Sequence, residues 1–403
     1  MNAPPRTSAN DLAPLAYHRA VVAYLQAQEP EVWSWASRAE AEKEYLERMR
    51  TMLLKECYRL EADGHPELID SCRRVAERLG IRVPITLYQA HGESGMNAAL
   101  YSAPGEAHVV FTGPVLSRLQ GAELEAVLGH ELAHYVLWDA ENHAHLVADR
   151  IMNSAAGDVR CSASHVHTAR RMRLYTEVFA DRGGYSGCGN LDAAVAALVK
   201  MATGLERVSA TSYLRQAEEL FARVERGNQE HDHPDLFIRA RALRLWSEGD
   251  AGLDAWLAAE IEGDATIDSL CLIGQQRVAQ LTRRLISELL QPQWMQTDAL
   301  MGHAKSFFAD FRPGALEPVQ PEDLSALKAA GAPDYWCYLL LDFARADRDL
   351  DDVPLAHSLT IGRRLALNER FEPLVIKELG MTQRQLTKLL KDAPELLRNA
   401  GAQ

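Results

Sequence analysis

Two histidines and a glutamate lie close together in the segment GAELEAVLGHELAHYVLWD, which covers residues 121–139. His130 and His134 are four residues apart, so on a helix they project from one face, one turn apart. Two imidazoles with this spacing can bind one metal ion, at about 2.0–2.1 Å if the ion is zinc. Glu131 follows the first histidine directly and can accept a proton from a water activated by the metal. The segment therefore predicts a metal centre with its own base.

The residues around this motif favour a functional explanation over chance. Apolar side chains recur along the same stretch and predict a helix that is mostly buried; they are Leu124, Val127, Leu128, Ala133, Val136 and Leu137. Polar side chains that are buried without partners cost several kcal/mol. Two histidines and a glutamate on such a helix therefore need a partner, and a metal ion is the partner that this spacing fits.

Two histidines need a third protein ligand, and the best candidate is Glu177 in the segment RLYTEVFADRGG (173–184). Asp181 lies four residues further, on the same helical face, and can accept a hydrogen bond from the second ring nitrogen of a ligand histidine. The pair Gly183–Gly184 is predicted to end this helix. A metzincin would carry Gly at 137 and His at 140, and the residues found there, Leu137 and Ala140, exclude that class.

Two other histidine pairs remain as alternative sources of the third ligand. His143 and His145 fall in a predicted helix, where side chains two residues apart diverge. His165 and His167 fall in the segment CSASHVH, which is predicted to be an exposed loop. Either pair is a weaker candidate than Glu177.

The elements that must position these residues are mostly helical. The apolar periodicity predicts helices from residue 17 to 79, with a break at His65–Pro66, and again throughout the chain after Pro114. Three short strands are predicted between them, at 81–89, 97–103 and 108–112, the first at a sheet edge because of Pro84. The predicted fold class is mainly α with a small β-sheet (α+β).

Composition limits the function classes. The chain has 403 residues, 47% of them hydrophobic, and a net charge of −13. This acidity argues against a partner that is a nucleic acid. Six scattered cysteines without a CxxC pair argue against a disulfide scaffold. The sequence has neither a run of 18 apolar residues nor an N-terminal secretory signal. We therefore expect no membrane span and a cytoplasmic location.

The combination of motifs resembles the M48 metallopeptidases, the zinc proteases that include the CAAX prenyl protease and the HtpX-like heat-shock proteases. The resemblance rests on AVLGHELAH (126–134) and EVFAD (177–181), with Asn97-Ala98 and Gly113 before them. A later His233-Pro234 precedes a helix that carries Arg239 and Leu243. The resemblance covers residues 80–247. Many members of the family are embedded in a membrane or carry a secretory signal, and this sequence shows neither feature.

The resemblance implies a gluzincin site with one Zn²⁺ per chain, held by His130, His134 and Glu177. Glu131 would be the general base. Asn97 would contact the substrate backbone and His233 would stabilise the oxyanion, whereas the structural alternatives are a turn at Asn97 and a helix cap at His233. The physical basis is that donors aimed at developing charge contribute about 2.7–4 kcal/mol each in comparable sites.

The resulting expectation is a zincin-like metallopeptidase core at 80–250, flanked by helical regions at 1–79 and 251–403, the latter with a Pro/Gly-rich linker near 309–334. The expected activity is zinc-dependent endopeptidase cleavage of a protein or peptide, with the substrate added as a strand beside residues 108–112. The alternative is a latent or regulatory zinc protein whose helical flanks bind a protein partner and whose protease site is closed or inactive.

Overall fold

The structure of this chain is a computed structural model that describes residues 12–92, 95–223, 235–263, 265–314, 316–327 and 329–402. His233, the predicted oxyanion residue, therefore lies outside the described residues. The chain forms two compact units, one that ends at Gly263 and one that begins at Asp264. The three-region division at 79 and 250 stays a prediction.

The first unit is a set of helices with one small sheet, which confirms the predicted fold class. Its helices are α1 Ala16–Gln28, α2 Pro30–Ala36, α3 Ala39–Glu56, α4 Pro66–Arg78, α5 Val115–Arg118, α6 Ala122–Gly157, α7 Ala163–Cys188, α8 Leu191–Thr203, α9 Ala210–Phe221, α10 Leu236–Glu248 and α11 Leu253–Glu262. Its strands are β1 Cys57–Leu60, β2 Ile85–Ala90, β3 Asn97–Ala103 and β4 Glu106–Thr112.

The sheet has the strand order β1-β2-β4-β3, in which β2 and β4 are parallel and the other pairs are antiparallel. Strand β1 was not predicted, because Cys57–Leu60 follows α3 directly and continues its apolar spacing. The predicted edge position of the first strand was wrong: Pro84 precedes β2, and β2 is an inner strand. Its missing N–H costs no ladder bond, while its carbonyl accepts a bond from the Ala107 amide at 3.0 Å.

The predicted place for an added substrate strand was also wrong. Strand β4 is paired on both sides, by β2 through Leu87 opposite Val109 and by β3 through Leu100 opposite Val109. Its backbone groups are therefore already used within the sheet. The outer strand on this side is β3, so any strand addition near His130 would have to use β3.

Helix α6 is long and is interrupted once. Residues 140–143 leave helical geometry, and Glu141, Asn142 and His143 have left-handed φ values of 52°, 56° and 63°. Non-glycine residues in this region cost about 1 kcal/mol or more each. Helix α1 braces the interruption, because Arg19 Nε lies 3.2 Å from Glu141 Oε1.

Helices α6 and α7 come into backbone contact at a set of glycines. A Cβ added to Gly183 would lie 2.2 Å from the Ala133 Cβ and 2.9 Å from the Gly129 carbonyl oxygen. The corresponding Cβ at Gly184 would lie 2.8 Å from the Ala126 carbonyl oxygen. The prediction that Gly183–Gly184 ends the helix was therefore wrong: α7 continues to Cys188, and these glycines allow backbone contact. We call Gly129, Gly183, Gly184 and Gly187 the glycine seam.

The start of α7 corrects another prediction. His165 and His167 lie in the first turns of this helix and not in an exposed loop, because Ser162 caps it by accepting a hydrogen bond from the His165 amide. His165 Nε2 also lies 2.9 Å from Glu29 Oε1. This pair is thus tied to the end of α1.

The second unit is a separate helical bundle. Its helices are α12 Leu272–Leu289, α13 Asp298–Phe307, α14 Pro321–Ser325, α15 Ala332–Arg345, α16 Val353–Arg364, α17 Asn368–Leu379 and α18 Gln383–Ala400, with a two-residue bridge between β5 Ala265–Thr266 and β6 Ala329–Ala330. Trp336 and Leu340 are buried in its core. Phe311 and Val319, from the Pro- and Gly-rich stretch, are buried in the same core. Among the described helices, none combines the length and apolar character that crossing a membrane requires.

Candidate metal centre

The two histidines of the HExxH segment lie together on the first half of α6. Both side chains are mostly buried, and their ring centroids are 5.2 Å apart. The helix begins at Ala122 after Gly121, and Glu123 and Glu125 in its first turn complement the helix dipole. The interruption at 140–143 comes after both histidines, so His130 and His134 are spaced as in a regular helix.

Glu177 reaches the same point from α7, as the sequence predicted. Its Oε2 lies 3.7 Å from His130 Nε2, and its Oε1 lies 3.9 Å from His134 Nε2. One donor atom from each of the three residues lies within 4.8 Å of the others. A tetrahedral ion with bonds of about 2.1 Å separates its ligand atoms by about 3.4 Å. Two imidazole nitrogens and a carboxylate at these distances therefore fit one such ion, with a small contraction.

A hydrogen-bond network holds His130 and Glu177 in place. His130 Nδ1 donates to Asp181 Oδ1 at 3.0 Å, which leaves its Nε2 lone pair directed to Glu177 and the metal position. Arg239, from α10, binds both oxygens of Asp181 at 2.8 and 2.6 Å. A third guanidinium nitrogen lies 3.3 Å from Glu177 Oε2. Arg239 thus connects Glu177, the candidate third ligand, to Asp181, which orients His130.

The electrostatics follow from burial and from these neighbours. Burial lowers the pKa of His130, but the hydrogen bond to Asp181 and the carboxylates of Glu177 and Glu131 outweigh it and raise this pKa above its usual value. Burial lowers the pKa of His134 to about 4, and the adjacent His130 adds to that effect. Burial would raise the pKa of Asp181, but Arg239 and His130 bring it below the ordinary value.

Glu131 points into the same cavity as the two histidines. It is 7% exposed, and the backbone N–H of Leu100 on β3 donates a hydrogen bond to its carboxylate. Burial raises the pKa of Glu131 to about 7, with His130 lowering it and Glu177 raising it. A group with such a pKa can both accept and release a proton near neutrality, and a bound divalent cation would favour its ionised form.

The remaining residues predicted for the site have different outcomes. Asn97 is the first residue of β3 and lines the cavity, with an exposed side chain. His145 is buried beside His18, with ring centroids 6.1 Å apart, and is absent from the ligand cluster. Neither the pair 143/145 nor the pair 165/167 belongs to the donor cluster found among the described residues.

Arg239 is the site residue whose role the sequence analysis missed. It lies 62 positions after Glu177, and nothing in the spacing indicates that it reaches back to α7. The available signal was its place in the helix that follows His233-Pro234. Its two carboxylate partners are themselves four residues apart on α7, so a single guanidinium can span both.

A cavity of about 710 Å³ opens beside this cluster, with one wall formed by β3. Its two ends differ in chemistry along α7. Beyond Gly184, the lining is apolar and comes mostly from α8 and α10; it includes Ala194, Ala197, Leu198, Met201 and Leu243. One turn before Glu177, the lining is polar, with Arg173, Asp149 and Asn153. The cavity is thus a groove that passes the metal position on both sides.

Helix α1 supports α7 directly behind the cluster. His18 is fully buried, accepts a hydrogen bond from the Leu15 amide at Nδ1 and lies 3.1 Å from Thr176 Oγ1 through Nε2. Thr176 donates its own proton to the Met172 carbonyl, so His18 carries its proton on Nε2. Burial lowers the pKa of His18 to about 3, which keeps the ring neutral.

Comparison with known proteins gives one match. Residues 64–247 match the family model described as peptidase family M48, a stretch that includes β2–β4, the HExxH helix, Glu177, Asp181 and Arg239. Comparisons with curated proteins and with solved structures gave no match. The matched stretch contains all the residues of the cluster described above. The chain therefore carries a domain that belongs to peptidase family M48, a family of hydrolases that act on peptide bonds.

Proposed function

We propose that this chain is a zinc-dependent endopeptidase whose metal ligands are His130, His134 and Glu177. The observation that carries the proposal is the convergence of three donor atoms from two helices within 4.8 Å, with Glu131 buried beside them. Membership of the M48 family supports zinc as the ion, because M48 metallopeptidases generally use it. Two imidazoles and a carboxylate are also a donor set that suits zinc.

Three protein ligands and a neighbouring base favour catalysis over a structural role. A structural zinc site is closed by four protein ligands, whereas a catalytic one keeps a position open for water or substrate. Within the described residues, three donors form the cluster, and the cavity of about 710 Å³ gives access to them. Bound zinc would supply a Lewis acid that lowers the pKa of a water and polarises the scissile carbonyl.

Glu131 would then carry the proton. It would accept a proton from the water that attacks the scissile carbonyl and deliver this proton to the leaving amine. Because water attacks the carbonyl directly, no acyl-enzyme is formed. Its hydrogen bond from the Leu100 amide fixes the carboxylate next to β3, where the substrate would lie. Asn97, at the start of the same strand, would contact the substrate backbone. The oxyanion role of His233 rests on the family resemblance alone.

The groove favours an extended peptide as substrate. The outer strand β3 can pair with an added strand, which gives main-chain hydrogen bonds of little selectivity. The apolar lining from α8 and α10 would accept an aliphatic or aromatic side chain on one side of the scissile bond. Two predictions from the sequence belong to the same proposal. They are a cytoplasmic location and a regulatory protein partner that binds the helical flanks.

The test is zinc content per chain together with hydrolysis of casein and a peptide library by wild type, Glu131→Gln and Glu31→Gln. Glu31 is an exposed residue of α2, so its variant controls for the loss of one carboxylate. One zinc in all three, with cleavage lost only in Glu131→Gln, is the expected result. Cleavage by Glu131→Gln at the wild-type rate would remove Glu131 as the base. Zinc without cleavage in the wild type would favour the latent or regulatory alternative.

A further inference from the structure

The two ligand histidines are held by different means. His130 donates from Nδ1 to Asp181, the usual way in which a metal-binding histidine is oriented. His134 Nδ1 is buried and has no hydrogen-bond partner within the described residues. Since an imidazole that is free to rotate cannot present its lone pair at a fixed point, something else has to hold this ring.

The ring of His134 is stacked on an indole. Trp138 lies one turn further along α6, and its ring centroid is 5.6 Å from that of His134 with an interplanar angle of 29°. The His134 ring also packs against the His130 ring, at an interplanar angle of 81°. The indole Nε1 is itself buried without a hydrogen-bond partner in the described part of the chain, so packing holds the indole.

We propose that Trp138 is a positioning residue for the metal ligand His134, and that stacking replaces the hydrogen bond that its Nδ1 lacks. The inference rests on the proposed metal site. Trp138 lies in the last regular turn of α6 before the interruption at 140–143. Its indole lines the same cavity as His130, Glu131 and His134.

The loss of zinc affinity expected without Trp138 depends on how much aromatic stacking contributes. Aromatic pairs contribute the equivalent of about two- to tenfold in an equilibrium constant beyond the area that they bury. Replacing a hydrogen-bonding partner of a metal ligand costs about 10–100-fold in metal affinity. We therefore expect Trp138→Leu to weaken zinc binding by about two- to tenfold, less than the loss expected for Asp181→Ala.

The experiment measures metal affinity and coordination in the full chain, not activity. Zinc affinity is obtained by competition with a chromophoric chelator, and coordination by the visible absorption of the Co²⁺-loaded protein. The variants are Trp138→Leu, Trp138→Phe, which retains a stacking ring, and Trp35→Leu, a control at a tryptophan of α2 that is 62% exposed.

Weaker zinc binding and a changed Co²⁺ spectrum in Trp138→Leu, with Trp138→Phe and Trp35→Leu close to wild type, would support the proposal. Wild-type affinity and spectrum in Trp138→Leu would overturn it. Equal losses in Trp138→Leu and Trp138→Phe would also overturn it, because they would indicate filled volume and not stacking. A wild type that binds neither metal would instead refute the proposed function, so the two failures can be told apart.

Discussion

The glycine seam makes a sharp prediction, because it brings the two ligand-bearing helices into backbone contact. In Gly183→Ala, the new Cβ would lie 2.2 Å from the Ala133 Cβ, whereas carbon atoms in contact are separated by about 3.5–4.0 Å. Both neighbours are rigid, since Ala133 lies between the ligands on α6 and the second contact is the Gly129 carbonyl. The helices must therefore move apart by about 1.3–1.8 Å at this point, the difference between the two distances.

This displacement is large compared with the tolerance of a metal site. Metal–ligand distances in protein sites stay within about 0.2 Å of their ideal values. His130 and His134 lie on one helix and Glu177 on the other, so separation lengthens one bond by more than the site allows. We expect Gly183→Ala to lose at least the 10–100-fold in zinc affinity that follows even from changes around a ligand. Overpacking should also lower the free energy of unfolding by about 1–3 kcal/mol.

The assay is chelator competition for zinc together with denaturant unfolding, on wild type, Gly183→Ala and Gly157→Ala. Gly157 is the last residue of α6 and has open space where a Cβ would lie, so its variant adds the same methyl group without a clash. The control should keep wild-type zinc affinity and at least wild-type stability. Wild-type zinc affinity and unchanged stability in Gly183→Ala would refute the backbone-contact argument.

Three further predictions concern the same unit. Glu177→Ala should lower zinc affinity by at least 10–100-fold in chelator competition, and full metal retention would point to another third ligand. Arg239→Gln should weaken zinc binding by about tenfold, because Asp181 is then left buried without its cation. Arg239→Lys should recover part of the affinity. Equal zinc affinity in both variants and the wild type would contradict this role. Stability should fall below pH 6.5, because the folded protein keeps His18 neutral with a pKa of about 3. In the unfolded chain the same imidazole takes up a proton below about pH 6.5. The free energy of unfolding therefore drops by about 2 kcal/mol at pH 5. Urea titrations at pH 7 and pH 5 should show this loss, and His18→Gln should reduce it.

The sequence indicated which side chains would come together at the candidate metal centre, because their spacing is that of regular helix. His130 and His134 need only one regular helical turn, and Glu177 and Asp181 need another. Strands β3 and β4 were also predicted close to their observed bounds, since the turn residues Gly95, Pro104–Gly105 and Gly113 delimit them. These features depend on short stretches of chain whose geometry is local.

The features that were missed depend on which elements meet. Nothing in the sequence of β1, CYRL (57–60), indicates that it pairs with residues 87–90 of β2. A pair of glycines is the usual sign of a helix end, and only the approach of α6 reveals that Gly183 and Gly184 serve close packing. The strand order that makes β3 the outer strand, and the reach of Arg239 to Asp181, are likewise set by tertiary contacts.

The support that α1 and β1 give to the site has a practical consequence for anyone preparing the isolated peptidase. Both elements lie before residue 64, where the family match begins. A fragment cut at the match would leave the β2 edge unpaired, and unpaired edges invite association between molecules. It would also uncover the surface of α6 and α7 on which the buried Val21 and Leu25 of α1 pack. An active fragment should therefore begin upstream of α1, and one that starts at residue 64 should aggregate.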